Sequence, residues 1–346
     1  ALLLEPQSTN LITYSEDFID SSWVKENVTV QSNTETSPDG FLNASYVIPN
    51  IGSGLTPRIN YGFSSQSGVT YQSSIFVKKF NIDWIRVLST GATGNTIQAY
   101  YDISNGVIGT SDNSELATIE DYGNGWYRLG LKIVSTNTSS GATFRVQFAG
   151  GDGNPIITTD GTEKFICWGA QVEENSYATS YIPTLTGTTQ TRVAETCGGA
   201  GDSSSINSEE GVLYVEIKGL ADLVSSRLSI NDGTNLNTIQ LAQSTTISNN
   251  YTFSNASGTF NKNFTVSDIT DYHKIAIKYE LNNYSVWVDG VEVATDTLAS
   301  VFPIGTLDNI SFDRGDGSFK TNSKIRTLAV YNTALTDSEL AILTTI

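Results

Sequence analysis

The sequence predicts an all-β protein made of two tandem β-sandwiches, followed by one short C-terminal helix. Short stretches in which apolar and polar residues alternate recur along the whole chain, and clusters of Gly, Asn and Asp separate them, as between the strands of sandwiches. The length of 346 residues exceeds that of a usual single domain, and 38% apolar residues are enough to form two cores. We therefore expect two domains.

The first domain is predicted to span residues 1–190, and a linker rich in Gly, Ser and Thr follows at 191–207. No stretch of helical periodicity with useful length occurs in this part. Its predicted strands are, in order, Ser45–Ile48, Thr70–Lys78, Trp84–Ser89, Ile97–Ile103, Trp126–Val134, Ala142–Phe148 and Phe165–Val172.

The second domain is predicted to span residues 208–346. Asp289-Gly290 is a two-residue turn of the kind that joins the strands of a hairpin. Thr336-Asp-Ser-Glu339 is a capping-box pattern, which predicts a short helix through Leu340 and Leu343. The predicted strands are Gly211–Ile217, Ser226–Ile230, Thr238–Ala242, Asn250–Phe253, His273–Glu280, Tyr284–Val288, Val291–Ala294, Asp308–Phe312 and Lys324–Tyr331.

Charge and hydropathy exclude several classes of partner. The net charge of -17 argues against nucleic acid, because phosphate contacts need clustered Lys and Arg. No run of about 18 apolar residues is present, so no membrane insertion is expected. A neutral glycan is compatible with this charge, and so is an anionic one if basic residues are concentrated locally. The absence of Met indicates a processed product or a piece of a longer protein.

Alternation along the strands places aromatic and planar polar side chains on the outward face of one sheet of the first domain. Aromatic rings beside planar hydrogen-bonding groups suit a sugar, which offers C–H faces for stacking and hydroxyls for hydrogen bonds. The alternative is that Trp84 and Trp126 cover strand ends or pack beneath loops. The predicted ligand-binding residues are Trp84, Arg86, Gln98, Tyr100, Trp126, Arg128, Arg145 and Gln147.

Several motifs make the first domain resemble a module that is frequent in phage tail and virion proteins. They are NLITYSEDF at 10–18, Trp23, GVTYQSSIFVK at 68–78, GWYR at 125–128 and WGAQVEENSYATSYIPT at 168–184. More distantly, the domain is similar to the galactose-binding-like jelly rolls of carbohydrate-binding module families four and nine. The resemblance implies a β-jelly roll, glycan binding and a structural calcium ion near the start of the domain, for which Glu16 and Asp17 would serve.

The second domain resembles the concanavalin A-like, laminin-G-like sandwich. HKIAIKYELNNYSVWVDGVEV at 273–293 and KIRTLAVYNTALTDSEL at 324–340 carry the likeness. It is specific for fold rather than function, because this fold serves lectins, adhesion modules, enzymes and inert spacers. The two domains in this order are similar to a phage receptor-binding or tail-fibre-type protein.

Catalytic chemistry is scarce in the sequence. His273 is the single histidine, it lies on a predicted strand, and no nucleophile elbow accompanies it. Acidic residues are numerous enough that counting does not exclude a glycosidase pair. Glu173-Glu174 is interpreted as a solvated strand end, however, and we expect no enzymatic activity.

A second candidate site for Ca²⁺ lies in the C-terminal domain. Asp313 and Asp316 are part of an acidic glycine turn there, and Ca²⁺ prefers clustered oxygen ligands. Cys167 and Cys197 either form a disulfide or remain free thiols, and their spacing does not decide between the two.

These features favour a non-catalytic carbohydrate-binding region that recognises host-surface glycans within a phage-like tail fibre or other virion surface protein. Its expected location is the virion surface or the extracellular space, and its partners are a glycan, neighbouring virion subunits and, as a possibility, further copies of itself. Two alternatives stay open. One is a purely structural virion or filament subunit, and the other is an accessory binding region of a polysaccharide-degrading enzyme.

Overall fold

The computed structural model describes residues 1–113, 116–255 and 260–346, and these are almost entirely β-structure. The chain forms two compact units, each with its own apolar core. The N-terminal unit is Gln7–Arg192, and the C-terminal unit combines Ala1–Pro6 with Val193–Ile346. The predicted fold class, two tandem β-sandwiches with a short C-terminal helix, is confirmed. Within the described ranges, no helix has the length and apolar character needed to cross a membrane.

The strands up to residue 192 are those of the N-terminal unit together with the strand Leu2–Leu4, which belongs to the C-terminal unit. In chain order they are β1 (Leu2–Leu4), β2 (Ser8–Asn10), β3 (Trp23–Glu26), β4 (Val28–Thr36), β5 (Leu42–Pro49), β6 (Gly52–Leu55), β7 (Arg58–Ser65), β8 (Thr70–Lys79), β9 (Trp84–Thr90), β10 (Ile97–Asp102), β11 (Val107–Ser111), β12 (Ala117–Gly123), β13 (Trp126–Val134), β14 (Ser139–Ala149), β15 (Ile157–Thr159), β16 (Phe165–Glu173) and β17 (Gln190–Arg192).

The remaining elements belong to the C-terminal unit. They are β18 (Gly198–Ala200), β19 (Glu210–Gly219), β20 (Ser226–Asn231), β21 (Thr238–Gln243), β22 (Asn250–Asn255), β23 (Asn261–Thr265), β24 (His273–Glu280), β25 (Tyr284–Val288), β26 (Val291–Asp296), β27 (Asn309–Ser311), β28 (Ser323–Tyr331) and the helix α1 (Asp337–Thr344).

The N-terminal unit is a sandwich of two six-stranded antiparallel sheets. Sheet I has the order β11-β10-β9-β14-β7-β3, and sheet II has the order β12-β13-β8-β16-β5-β4. Alternate residues of each strand form the core, among them Val87 and Tyr101 of sheet I and Leu129 and Leu131 of sheet II. Two short strand pairs, β15 with β6 and β17 with β2, complete the unit.

The C-terminal unit is also a two-sheet sandwich. Sheet III has the order β1-β28-β19-β24-β25-β26, and sheet IV has the order β18-β27-β20-β21-β22-β23. The predicted hairpin turn joins β25 to β26, where Asp289 and Gly290 both have positive φ values of 50° and 85°, as its two-residue turn requires. His273 is buried and holds this turn, since its Nδ1 lies 2.6 Å from Asp289 Oδ2.

The predicted C-terminal helix is confirmed together with its cap. Thr336 is the N-cap residue, its hydroxyl accepts from the backbone N–H of Glu339, and the Glu339 side chain accepts from the backbone N–H of Thr336. Leu340 is fully buried against sheet III residues that include Trp287. The helix therefore covers part of sheet III rather than standing free in solvent.

The division of the chain differs from the predicted domains at both boundaries. The segment Ala1–Pro6, assigned above to a first domain of 1–190, supplies β1 to sheet III, where Leu2–Leu4 pairs with Ser323–Ile325. The predicted linker 191–207 also contains regular structure, because β17 and β18 pair with β2 and β27. Three-residue strands are too short to show a period of two, so the sequence pattern gives no sign of them.

Candidate functional site

Six of the predicted ligand-binding residues lie together on sheet I. β9, β10 and β14 are neighbours in the sheet, and the register pairs Arg86 with Tyr100 on one side and with Gln147 on the other. Their side chains share the parity that points away from the core, since Val87 and Tyr101, next to them in sequence, are core residues. We call this surface the outer face of sheet I. It carries Arg58, Trp84, Arg86, Gln98, Tyr100, Asp102, Arg145 and Gln147.

Arg86 is the centre of the outer face. Its Nε donates to Gln98 Oε1 at 2.7 Å, and its Nη1 donates to Gln147 Oε1 at 3.3 Å. The guanidinium carbon lies 5.7 Å from the centre of the Tyr100 ring. Gln147 Nε2 donates in turn to the carbonyl oxygen of Pro155 at 2.8 Å. Planar groups from three strands are thereby held in fixed positions, which reduces the entropy cost of binding a ligand.

Two of these six residues are less accessible than predicted. Tyr100 is 3% exposed and Gln147 is 2% exposed. The Arg86 guanidinium lies over the Tyr100 ring, and Gln147 is bound to the loop that contains Pro155. Both residues therefore support Arg86 rather than offering a free surface for stacking. Strand parity shows the face that a side chain occupies but does not reveal what covers that face.

Trp84 marks one end of the outer face, where it lines an open cleft of about 640 Å³. Its ring lies against the backbone of β11, because a Cβ atom at Gly109 would come within 2.6 Å of Trp84 Cζ3. The side chain is only half-buried, so part of its ring remains available to a ligand. The other residues lining the cleft are Ile82, Asp83, Phe148, Ala149, Gly150, Asn154, Ile156, Ile157, Thr158 and Glu163.

Burial and neighbouring charges both shift the pKa values of groups on the outer face. Burial lowers the pKa of Arg86, Asp112 opposes that fall, and the nearby Arg58 guanidinium adds to it. Burial also lowers the pKa of Arg145, where Arg58 and Arg86 add to the fall and Glu26 opposes it. For Tyr100, burial raises the pKa of the phenol, and the Arg86 charge opposes that rise. The directions are those of a partly desolvated surface on which arginines and acids act on one another.

The outer face contains one arginine that the sequence analysis missed. Arg58 opens β7 and lies opposite Gln147 of β14. Its Nη2 forms an ion pair with Glu26, and its Nη1 donates to Thr56 Oγ1 at 3.0 Å. The sequence that follows Arg58 does have the alternation typical of a strand, because the apolar residues Ile59, Tyr61 and Phe63 occupy every second position. The structure buries all three.

Trp126 and Arg128 do not belong to this surface, which corrects the predicted set of eight. Both lie on β13 of sheet II and are only 3% exposed. Arg128 donates to Ser74 Oγ and, from Nη1, to the carbonyl oxygen of Thr179 at 2.7 Å. Trp126 belongs to a small apolar cluster with Trp168, against which Tyr181 packs. Alternation cannot show which of two sheets a strand joins, and that is why the two residues were misplaced.

Glu173 is not the solvated strand end that its sequence suggested. It is fully buried and accepts hydrogen bonds from the Ser8 hydroxyl at 2.5 Å and from the Thr179 backbone N–H at 3.1 Å. The carboxylate thus joins β2 and β16 to the segment that covers Arg128. We assign it a structural role.

The first predicted calcium ligands are occupied by protein groups. Glu16 accepts from Asn43 Nδ2 at 2.9 Å and from the Tyr181 hydroxyl at 3.0 Å, and burial raises its pKa. Asp17 accepts from the backbone N–H of Ile19 at 3.2 Å. A Ca²⁺ ion here would have to replace the two donors of Glu16.

The second pair of predicted calcium ligands is similarly engaged. Asp316 is paired with Arg314 at 2.5 Å and accepts from the Ser318 hydroxyl, while Asp313 accepts from the backbone N–H of Gly315. In the part of the chain that the structure describes, no three His, Cys, Asp or Glu side chains come together as a metal site. Calcium binding at either place stays a prediction.

The two cysteines are free thiols. Cys167 is fully buried in the core of the N-terminal unit, and burial raises the pKa of its thiol well above the ordinary value. Cys197 is exposed and belongs to the C-terminal unit. Cys167 is consequently a packing residue, inert towards thiolate chemistry.

Comparison with known proteins leaves the family open. No family model matches the chain, and no curated protein matches it. Among solved structures, the CBM40 domain of Ruminococcus gnavus IT-sialidase, bound to α2,6-sialyllactose, is 20% identical with a TM-score of 0.33. That match covers 42% of this chain and 93% of that one. Domains LG4-5 of the mouse laminin α1 chain are 10% identical with a TM-score of 0.31, covering 82% and 89%.

A third similar structure is sheep galectin-11 in complex with glycerol, 7% identical with a TM-score of 0.27, which covers 40% of this chain and 99% of that one. Trypanosoma rangeli sialidase is 9% identical with a TM-score of 0.33, and the match covers 86% of this chain and 60% of the sialidase chain. Similarities at this level identify neither a ligand nor a site. The assignment of the fold and of the candidate site therefore rests on the strands, registers and contacts described above.

Proposed function

We propose that this chain is a non-catalytic carbohydrate-binding region, and that the outer face of sheet I together with the Trp84 cleft binds the glycan. The observation that supports this most is the half-buried Trp84 at the cleft, next to a fixed network of guanidinium and amide groups centred on Arg86. An aromatic ring takes the apolar C–H face of a sugar, and planar groups pair with its hydroxyls. The phage-module resemblance of residues 1–190 favours a glycan of a host surface and a place in a tail fibre or other virion surface protein.

Substitution of Trp84 tests the site. We expect Trp84→Ala to weaken glycan retention in affinity gel electrophoresis about tenfold or more, because loss of an aromatic stacking contact at a binding hot spot costs at least about 1.4 kcal/mol. Phe41→Ala is the matched control, since Phe41 is 70% exposed and lies between β4 and β5 of sheet II. Equal retention of both variants, with unchanged melting temperatures, would place the ligand elsewhere.

The non-catalytic part of the proposal is tested separately. The cleft contains two carboxylates, Asp83 and Glu163, and each has a protein partner: Lys79 Nζ lies 2.5 Å from Asp83, and the Thr159 hydroxyl donates to Glu163. We expect no sustained release of reducing ends when the chain is incubated with the polysaccharides that it retains. Release that disappears in Asp83→Asn or Glu163→Gln would show a hydrolase with a two-carboxylate mechanism.

A further inference from the structure

Three arginines share the outer face of sheet I with the one carboxylate of Asp102, although the whole chain has a net charge of -17. The register places Arg58 of β7 opposite Gln147 of β14, and Gln147 opposite Arg86 of β9. Arg145 lies on the same strand and the same face as Gln147, in the adjoining row. Three guanidinium groups therefore occupy adjacent positions on one surface.

The protein itself neutralises only one of these three arginines directly. Arg58 is paired with Glu26. Neither Arg86 nor Arg145 forms a salt bridge with any residue that the structure describes. Arg86 donates to the neutral amide oxygens of Gln98 and Gln147, and Arg145 Nε donates to Thr143 Oγ1 at 3.0 Å.

The carboxylates around this surface accept hydrogen bonds from other groups, which are neutral except for Arg58, the partner of Glu26. Asp112 accepts from the backbone N–H of Gln98 at 3.0 Å and from Gln98 Nε2 at 3.3 Å. Asp152 accepts from the backbone N–H of Thr110 at 2.6 Å. Glu26 binds Asn60 Nδ2 in addition to Arg58. These acids fix the loops and strand ends around the face, and the guanidinium groups of Arg86 and Arg145 remain without an ion-pair partner among the described residues.

We propose that the glycan bound at the outer face of sheet I is acidic, and that its carboxylate or sulfate groups bind Arg86 and Arg145. This inference rests on the proposed function and specifies its ligand class. A guanidinium stays charged at any physiological pH, and its planar fork matches a carboxylate or sulfate with two parallel hydrogen bonds. Nη1 and Nη2 of Arg145 have no hydrogen bond to a described residue, so both are available to such a group. Trp84 would stack on a neighbouring sugar ring of the same chain.

Matched pairs of polysaccharides test the ligand class. Affinity gels contain alginate, polygalacturonate or dextran sulfate, and each is compared with a neutral counterpart: carboxyl-reduced alginate, carboxyl-reduced polygalacturonate and dextran. We expect retention by at least one acidic polymer, at least tenfold weaker retention by its neutral counterpart, and weakening as sodium chloride is raised, because salt screens charge pairs. The first two pairs detect carboxylate recognition, and the dextran pair detects sulfate recognition.

Arg145→Gln is the decisive variant, because Arg145 makes a single hydrogen bond to the protein and its replacement disturbs the fold least. We expect it to raise the dissociation constant for the acidic polymer about tenfold, since a charge-assisted pair is lost. Lys132→Gln, on β13 of sheet II, is the control, because it also removes one positive charge. We expect it to bind the acidic polymer as tightly as the unsubstituted chain does. Melting temperatures of both variants confirm that the fold is intact.

The outcomes separate the two proposals. Equal retention on acidic and neutral polymers, lost in Trp84→Ala but unchanged in Arg145→Gln, would overturn the acidic ligand and leave glycan binding standing. If acidic polymers retain Arg145→Gln and Lys132→Gln to the same extent, the assignment of the arginines as the residues that bind the acidic groups is wrong. Retention of none of the six polymers, together with no binding on an array of host-surface glycans, would overturn the proposed function itself.

Discussion

Arg128 and Arg145 have the same side chain in two opposed environments of one unit. Arg128 is buried, its guanidinium lies 5.2 Å from the centre of the Phe76 ring, and its nitrogens donate to Ser74 and Thr179. Arg145 is half-exposed and donates to Thr143 alone among the described residues. The first arginine stabilises the sandwich through its contacts, whereas the second retains donors for a ligand.

Replacing Arg128 should therefore lower stability without altering the ligand site. We expect Arg128→Ala to reduce the free energy of unfolding of the N-terminal unit by about 2–4 kcal/mol, because it leaves a cavity and removes the buried hydrogen bonds to Ser74 and to the Thr179 carbonyl oxygen. Lys132→Ala, on the same strand and half-exposed, should cost less than about 0.5 kcal/mol. Chemical denaturation followed by near-UV circular dichroism measures both. A stable Arg128→Ala variant that has lost glycan retention would reverse the two assignments.

The sequence was sufficient to place six of eight predicted ligand residues on a common face, because alternation has a fixed period of two. It could not separate sheet I from sheet II, and so Trp126 and Arg128 were included. Nor could it show that the segment with Thr179 and Tyr181 covers sheet II, since such packing depends on contacts distant in sequence. The site therefore needed the register, and Arg58 emerged only with it.

At the scale of elements, the smallest strands were the least predictable. The hairpin at Asp289-Gly290 and the capped helix α1 carry strong local signals, and both occur where they were expected. β1 has only three residues, and its partner β28 lies at the other end of the chain. No local pattern could assign it to sheet III.

The contribution of β1 can be measured with two leucines. Leu4 is 4% exposed and belongs to the C-terminal core, whereas Leu2 is 38% exposed. We expect Leu4→Ala to destabilise the C-terminal unit by about 2–4 kcal/mol and Leu2→Ala by well under 1 kcal/mol. Hydrogen exchange should then accelerate in β28 and its neighbours for Leu4→Ala only. Faster exchange in sheets I and II instead would assign the segment to the other unit.

At the scale of the whole molecule, the two cores are separate clusters of buried residues. We expect two thermal transitions in calorimetry, with Arg128→Ala lowering one and Leu4→Ala lowering the other. A glycan at about 100 times its dissociation constant should stabilise the unit that binds it by about 2.7 kcal/mol. This corresponds to a rise of about 5–10 °C in the transition that Arg128→Ala lowers.

Calorimetry with and without the glycan also shows which of the two units binds it, and this result does not depend on any single contact. A glycan that raises only the transition lowered by Leu4→Ala would move the binding site to the C-terminal sandwich. A single transition, shifted by both substitutions, would show that the units unfold as one cooperative body. The first result would require the ligand surface to be reassigned, and the second would mean that calorimetry cannot tell which unit binds the glycan.

The pairing of β1 with β28 has a consequence for the order in which the molecule is made. A ribosome that has just released Arg192 has supplied every strand of the N-terminal sandwich, while Leu4 still has no partner. β1 must wait until Ser323–Ile325 have left the exit tunnel, and until then the β19 edge of sheet III stays open to strands of other nascent chains. Crowded translation is thus a circumstance that exposes sheet III to mispairing, and the arrival of β28, which joins β19 to β1, ends that exposure.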